Sequence, residues 1–182
     1  MAVTKHTLVA LVEDKPGVLN RMVSLFRRRG FNIESIAVGA SEIPHLSRMT
    51  IVVIGSAATI EQVRKQSDKI ADVIKISDIT GGDTVTRELA LLKVKATPAT
   101  RSEIIQIVDI FRASIVDASP DSMVIEVTGD EDKVNSLLKM LRPFGIKELH
   151  RTGRVAMTRG SGGALAGGKE PSRRQAGRGG KS

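Results

Sequence analysis

Leu11-Val12-Glu13-Asp14-Lys15-Pro16-Gly17-Val18-Leu19 and, one helix later, Phe31-Asn32-Ile33-Glu34-Ser35-Ile36 form the stretch whose reading decides the fold. Thr7 to Val12 is apolar and β-capable, and Asp14-Lys15-Pro16-Gly17 is a turn signal. From Val18 onward, Val18, Leu19, Met22, Val23, Leu25 and Phe26 recur at helical spacing, which predicts one buried face. Arg27, Arg28 and Arg29 close that helix, where cations complement its dipole, and Gly30 suits its end. Ile33 to Val38 reads as a strand, Gly39 to Ser47 as a turn and Met49 to Ile54 as the next strand. Thr59 is the expected cap of a second helix with Ile60, Val63, Ile70 and Ala71 inward, and Val73 to Ile79 is a fourth strand. The order β-α-β-β-α-β is that of the split βαβ, or ferredoxin-like, unit, in which both helices cover one face of an antiparallel sheet.

Gly81-Gly82-Asp83 punctuates the chain, and the same order then repeats. Thr86 to Ala96 is a strand, and Thr100 to Phe111 is a helix with Ile104, Ile105, Val108 and Phe111 inward. Ser114 to Ala118 and Met123 to Thr128 are strands about the turn Ser119-Pro120-Asp121. Asp130 to Leu141 is a helix with Val134, Leu137, Leu138 and Leu141 inward, and either Ile146 to Leu149 or Arg154 to Met157 is the final strand. The predicted class is α+β: two tandem ferredoxin-like βαββαβ domains with antiparallel sheets, at residues 5–80 and 84–158, followed by a tail at 160–182. The halves match in architecture and not residue by residue. Each is ~75 residues, a size that folds alone only marginally, so pairing between halves or between chains is expected.

The tail holds eight of the 17 glycines, and its basic residues outnumber its acids. With Leu165 as its one large apolar residue it is expected to be disordered. Removing it leaves the rest only mildly basic, although the whole chain carries +8, so a nucleic-acid partner is not expected. The core must be aliphatic, because the chain has four Phe and no Trp or Tyr. Stacking platforms for single strands are correspondingly scarce. The absence of cysteine excludes disulfides, thiolate metal sites and a Cys nucleophile, and suits a reducing cytoplasm. Residues 1–6 have no signal-peptide pattern, and apolar runs such as Val9 to Val12 fall far short of the ~20 residues that span a membrane. The reading is a cytoplasmic protein with no membrane partner.

Two segments carry candidate site chemistry. A helix N-terminus at Asp14 to Leu19 presents free N–H groups that hold a carboxylate, and Gly17 permits close approach. The same residues equally make an ordinary turn, with Pro16 and Gly17 serving geometry alone. Asn32 carries both a donor and an acceptor, or satisfies its own turn. The intervening helix separates Gly17 from Asn32 by roughly 18 Å, so one subunit cannot close both on one small molecule. Two subunits side by side can. His6, His45 and His150 read as surface or turn residues, with no metal-ligand spacing. Glu131 and Asp132 open a helix and suit its dipole. Arg27-Arg28-Arg29 reads as a solvated helix end. In the tail, Gly160-Ser161-Gly162-Gly163-Ala164-Leu165 fails the dinucleotide spacing, and Gly180-Lys181-Ser182 lacks the first glycine of a phosphate loop.

The string Leu11 to Leu19, then Leu25-Phe26-Arg27-Arg28-Arg29-Gly30-Phe31-Asn32-Ile33-Glu34-Ser35-Ile36, closely resembles the small regulatory subunits of acetolactate synthase, also called acetohydroxyacid synthase. Leu46-Ser47-Arg48-Met49-Thr50-Ile51 and Val85-Thr86-Arg87-Glu88-Leu89-Ala90-Leu91-Leu92-Lys93-Val94 resemble later strands of that family, so the match runs over about residues 5 to 158. The resemblance implies an N-terminal ACT domain and a homodimer whose ACT domains pair side by side. It implies a branched-chain amino acid effector, usually valine, held at the interface. By position, Gly17, Val18 and Leu19 would offer N–H groups to the effector carboxylate, and Asn32 and Ile33 of the second subunit would meet its polar and apolar parts. The family often has Asn where this chain has Asp14, and an acid there can pair with the ammonium or oppose the carboxylate. The resemblance further implies a chain without cofactor or catalytic residue of its own. It would activate a separate catalytic large subunit, a transferase carrying thiamine diphosphate, Mg²⁺ and FAD, and confer feedback inhibition in valine, leucine and isoleucine synthesis. Consistent with that, no thiamine diphosphate motif is found: Gly129-Asp130 is followed by Glu131 and not Gly. The alternative is a free-standing ACT-type amino-acid sensor with another partner. RNA binding through the tail is a third class.

Overall fold

A computed structural model describes residues 4–163 and 165. The first half comprises β1 (Thr4–Glu13), α1 (Val18–Arg28), β2 (Asn32–Ala40), β3 (Leu46–Gly55), α2 (Ala57–Ser67) and β4 (Val73–Asp78). Its sheet runs in the order β2-β3-β1-β4, with every neighbouring pair antiparallel. The second half comprises β5 (Thr84–Lys95), α3 (Arg101–Ile110), β6 (Ser114–Ser119), β7 (Ser122–Gly129), α4 (Glu131–Leu141), β8 (Ile146–Arg151) and β9 (Val155–Thr158). Its sheet runs β6-β7-β5-β8, and β9 pairs the first four residues of β5. The fold is α+β, two ferredoxin-like βαββαβ units with antiparallel sheets. Both candidates for the last strand exist, because β5 at 12 residues is long enough to pair β9 and then β8 along one edge.

Helix phase decides which apolar residues go inward. In α1, Val18, Met22, Leu25 and Phe26 are buried, at spacings that return to one face. Leu19 and Val23, expected inward, stand one residue further round and are 45% and 36% exposed. In α3 the same ~100° step turns Ile105 outward, and Ile107 is buried beside Ile104 and Val108. The second helix is capped by Ser56 and not Thr59: the Ser56 hydroxyl accepts the Thr59 N–H at 3.3 Å. It ends at Ser67, so Ile70 and Ala71 lie in the following loop. Gly30, at φ 71, stands just past Arg29 and turns the chain out of α1.

Each half has its own aliphatic core beneath its helices. A third cluster lies on the opposite face of the first sheet, where Val9, Leu11, Leu46, Ile74 and Ile79 meet Ala156 of β9 and Leu165. The expected disorder of 160–182 falls mostly outside the described residues, but Leu165 is buried at 8%. His6 is also buried, not a surface or turn residue, because β1 lies between β3 and β4. One of its ring nitrogens is 2.9 Å from Asp78 Oδ2 and the other 2.9 Å from Thr4 Oγ1. His45 occupies a left-handed turn at φ 64, and His150 is exposed on β8.

Candidate functional site

Gly17 caps α1 at φ 86, a left-handed conformation, and supplies no side-chain cap. That leaves backbone donors bare. Val18 N–H bonds to Lys15 O at 3.3 Å, and Gly17 O accepts Arg21 N–H at 2.9 Å. Among the described residues, nothing accepts the N–H groups of Leu19 and Asn20. The Asp14 N–H bonds to His45 O at 2.8 Å, which ties this loop to the β2–β3 turn. The Asp14 side chain is exposed, and no cation pairs with it among the described residues.

Arg21 belongs to the same site. It lies four residues after Gly17, so the helix brings it back over the loop. A guanidinium nitrogen stands 3.7 Å from the point a Gly17 Cβ would occupy. The guanidinium pairs with Asp72 at 2.6 Å, which holds it there. The adjoining cleft is lined by Glu13, Lys15, Pro16, Arg21, Ile70 and Asp72. Bare N–H groups, a helix dipole and an anchored guanidinium together suit a carboxylate, and the apolar rim suits an aliphatic group. The i,i+4 spacing from Gly17 to Arg21 was legible in the sequence, but its use depends on Asp72, 51 positions later.

Asn32 is the first residue of β2, exposed, opposite Ile54 of β3. Ile33 is partly buried and packs against the first core, so its side chain serves the domain interior. Val18 is buried as well, which leaves its backbone as the part facing the loop. Leu19 is exposed beside the bare N–H groups. Gly17 and Asn32 stand at opposite ends of α1, whose 11 residues rise about 16 Å. Within one chain they do not converge. β2 is an edge strand, so the outer side of Asn32 to Ala40 has no strand partner among the described residues.

Comparison with known proteins places both halves in a family. Residues 8–75 match the family model described as the AHAS small subunit-like ACT domain, and 87–160 match that of the small subunit of acetolactate synthase. A probable acetolactate synthase small subunit from Archaeoglobus fulgidus is 58% identical over 157 residues, covering 86% of this chain and 98% of that one. The acetolactate synthase small subunit of Mycobacterium bovis is 51% identical over 160 residues, covering 88% and 95%. The crystal structure of the acetolactate synthase small subunit from Thermotoga maritima superposes with a TM-score of 0.81 at 43% identity, covering 87% of this chain and 99% of that one. With both halves matched in sequence and in fold, the chain belongs to the acetolactate synthase small-subunit family.

Proposed function

We propose that the chain is a non-catalytic regulatory subunit that raises the activity of a separate acetolactate synthase large subunit and makes it sensitive to a branched-chain amino acid, valine foremost. The observation that carries the reading is the uncapped start of α1. Gly17 leaves the Leu19 and Asn20 N–H groups free beside Arg21, a setting for the α-carboxylate. The exposed edge of β2 supplies the other half of the pocket. In a homodimer with ACT domains side by side, Asn32 of one subunit meets the Gly17 loop of the next, and Leu19 contacts the aliphatic side chain. Asp14 faces the ammonium. Thiamine diphosphate, Mg²⁺ and FAD belong to the catalytic partner, and the complex acts in the cytoplasm on the synthesis of valine, leucine and isoleucine.

Asn32→Ala tests the pocket. Losing a well-placed hydrogen bond costs about 1–3 kcal/mol, roughly 5- to 150-fold in affinity. Valine inhibition of the reconstituted enzyme should weaken by that factor while activation persists. An unchanged inhibition curve sinks the assignment.

A further inference from the structure

We propose that the C-terminal half reads effector occupancy from β2 itself, through Glu34 and Ser35, the two residues that follow Asn32 and Ile33. This rests on the effector reading above and adds the route by which occupancy leaves the pocket.

The first contact is an ionic clasp. Ile33 opposes Val53 and Ser35 opposes Val52, so Glu34 is the extra residue of a β-bulge. A bulge re-aims one side chain out of the regular alternation. Here it delivers the Glu34 carboxylate to Lys5, whose Nζ donates to it at 2.6 Å. The same ammonium donates to Glu131 at 2.8 Å. Glu131 is the first residue of α4, in the other half of the molecule. Its second oxygen accepts Arg154 at 2.5 Å, and Arg154 also donates to Thr7 Oγ1 of β1 at 2.9 Å. Two cations thus tie α4 and the β8–β9 turn to β1 and β2. The Lys5 hydrogen bond holds the Glu131 carboxyl below its usual range, against burial. Burial is the largest single influence on Lys5 and opposes its charge, yet the bonds from Glu131 and Glu34 raise its pKa.

The second contact is steric. Gly153, between β8 and β9, sits at φ 80, and a Cβ there would stand 3.0 Å from Ser35 Cβ. The turn is seated on β2 at a separation where a side chain would press on Ser35, and its φ favours glycine. Between the two contacts lies a cleft of about 330 Å³ lined by Glu34, Ser35, Val52, Glu88, Arg151 and Arg154.

β2 has a ladder on one side only, so it shifts at lower cost than β1 or β3. A ligand that fixes Asn32 fixes the strand two residues before the clasp. Its differential affinity for clasped and released arrangements is what couples pocket to C-terminal half.

The test uses the full chain with Lys5→Met, Glu131→Gln and Gly153→Ala. Binding of valine, leucine and isoleucine is measured by calorimetry, and inhibition in the enzyme reconstituted with its large subunit. The expected result is a Kd within about threefold of wild type, with the half-inhibitory concentration raised about tenfold or more. Lys5→Arg, which keeps the charge, should keep inhibition, and thermal melting checks that each variant is folded. Unchanged inhibition in both Lys5→Met and Glu131→Gln overturns the proposal. So does parallel loss of binding and inhibition in a folded variant, since the residues would then be part of the pocket. A wild-type chain that binds none of the three amino acids overturns the effector reading, and this proposal with it.

Discussion

The two halves have the same element order and the same strand order, yet they treat the start of their first helix in opposite ways. In the second half, Thr97 and Thr100 each accept the other's backbone N–H through a hydroxyl, at 3.3 and 3.0 Å. That reciprocal pair closes the turn before α3, whose first turn also carries a carboxylate of its own, Glu103. In the first half, the corresponding turn is Asp14-Lys15-Pro16-Gly17, the first turn of α1 has no acid, and the Arg21 guanidinium stands beside Gly17. The contrast at the two helix starts is therefore one of charge: α3 brings an acid to its own N-terminus, and α1 sets a guanidinium beside it. The bulge at the start of the second strand repeats the lesson. It exposes Val116 in β6, whereas in β2 it carries Glu34 to a cation. One backbone therefore carries two different surfaces, and the difference lies in a few side chains.

Gly17→Asp should break this asymmetry most sharply. It places a carboxylate where one is to be bound and puts a non-glycine residue at φ 86. Loss of charge-assisted hydrogen bonds alone costs about 2–3 kcal/mol, or roughly 30- to 150-fold in effector affinity by calorimetry. Gly17→Ala shares the conformational strain without the charge, so the gap between the two variants isolates the anion site. Equal affinity in Gly17→Asp and wild type would mean that the bare helix start binds nothing.

The sheets differ too. β1 is buried at every residue from His6 to Glu13, whereas β5 alternates from Glu88 to Lys95. Alternation marks a sheet with one open face, and continuous burial marks one covered on both. The cover on the first sheet includes Ala156 of β9 and Leu165. Leu165→Ala should cost about 2 kcal/mol, a fall of about 4–8 °C in melting temperature for a chain of this size. Leu91→Ala, on the open face of β5 at 38% exposure, should stay within about 0.5 kcal/mol. Equal losses would remove the distinction between the faces.

Much of this was legible from local pattern. The Pro16-Gly17 turn, the α1 stripe and the strand after Gly30 follow from spacing and turn chemistry, and they fix both the fold and the two ends of the candidate site. What escaped was non-local or a matter of phase. Ile104 and Ile105 are equally apolar, and only packing shows which one faces the sheet. Glu131 reads as a dipole residue because its partners, Lys5 and Arg154, lie 126 positions before it and 23 after. His6 resembles a surface histidine until β4 brings Asp78 alongside. Leu165 looks isolated in a Gly-rich tail because the apolar surface it covers belongs to strands far upstream.

The smallest effect sharpens the contrast from the other side. Thr97→Ala removes the hydroxyl that accepts the Thr100 N–H and leaves the Thr97 N–H bonded to Thr100. The loss of that hydrogen bond costs about 1 kcal/mol of stability. Thermal denaturation of the full chain should register that loss, and effector affinity should not move, because the Thr97–Thr100 turn lies in the second half, away from the Gly17 loop. A Thr97→Ala chain whose affinity for valine falls as far as that of Gly17→Asp would show that both helix starts take part in binding. One with unchanged stability would show that the Thr97–Thr100 pair does not hold the turn before α3.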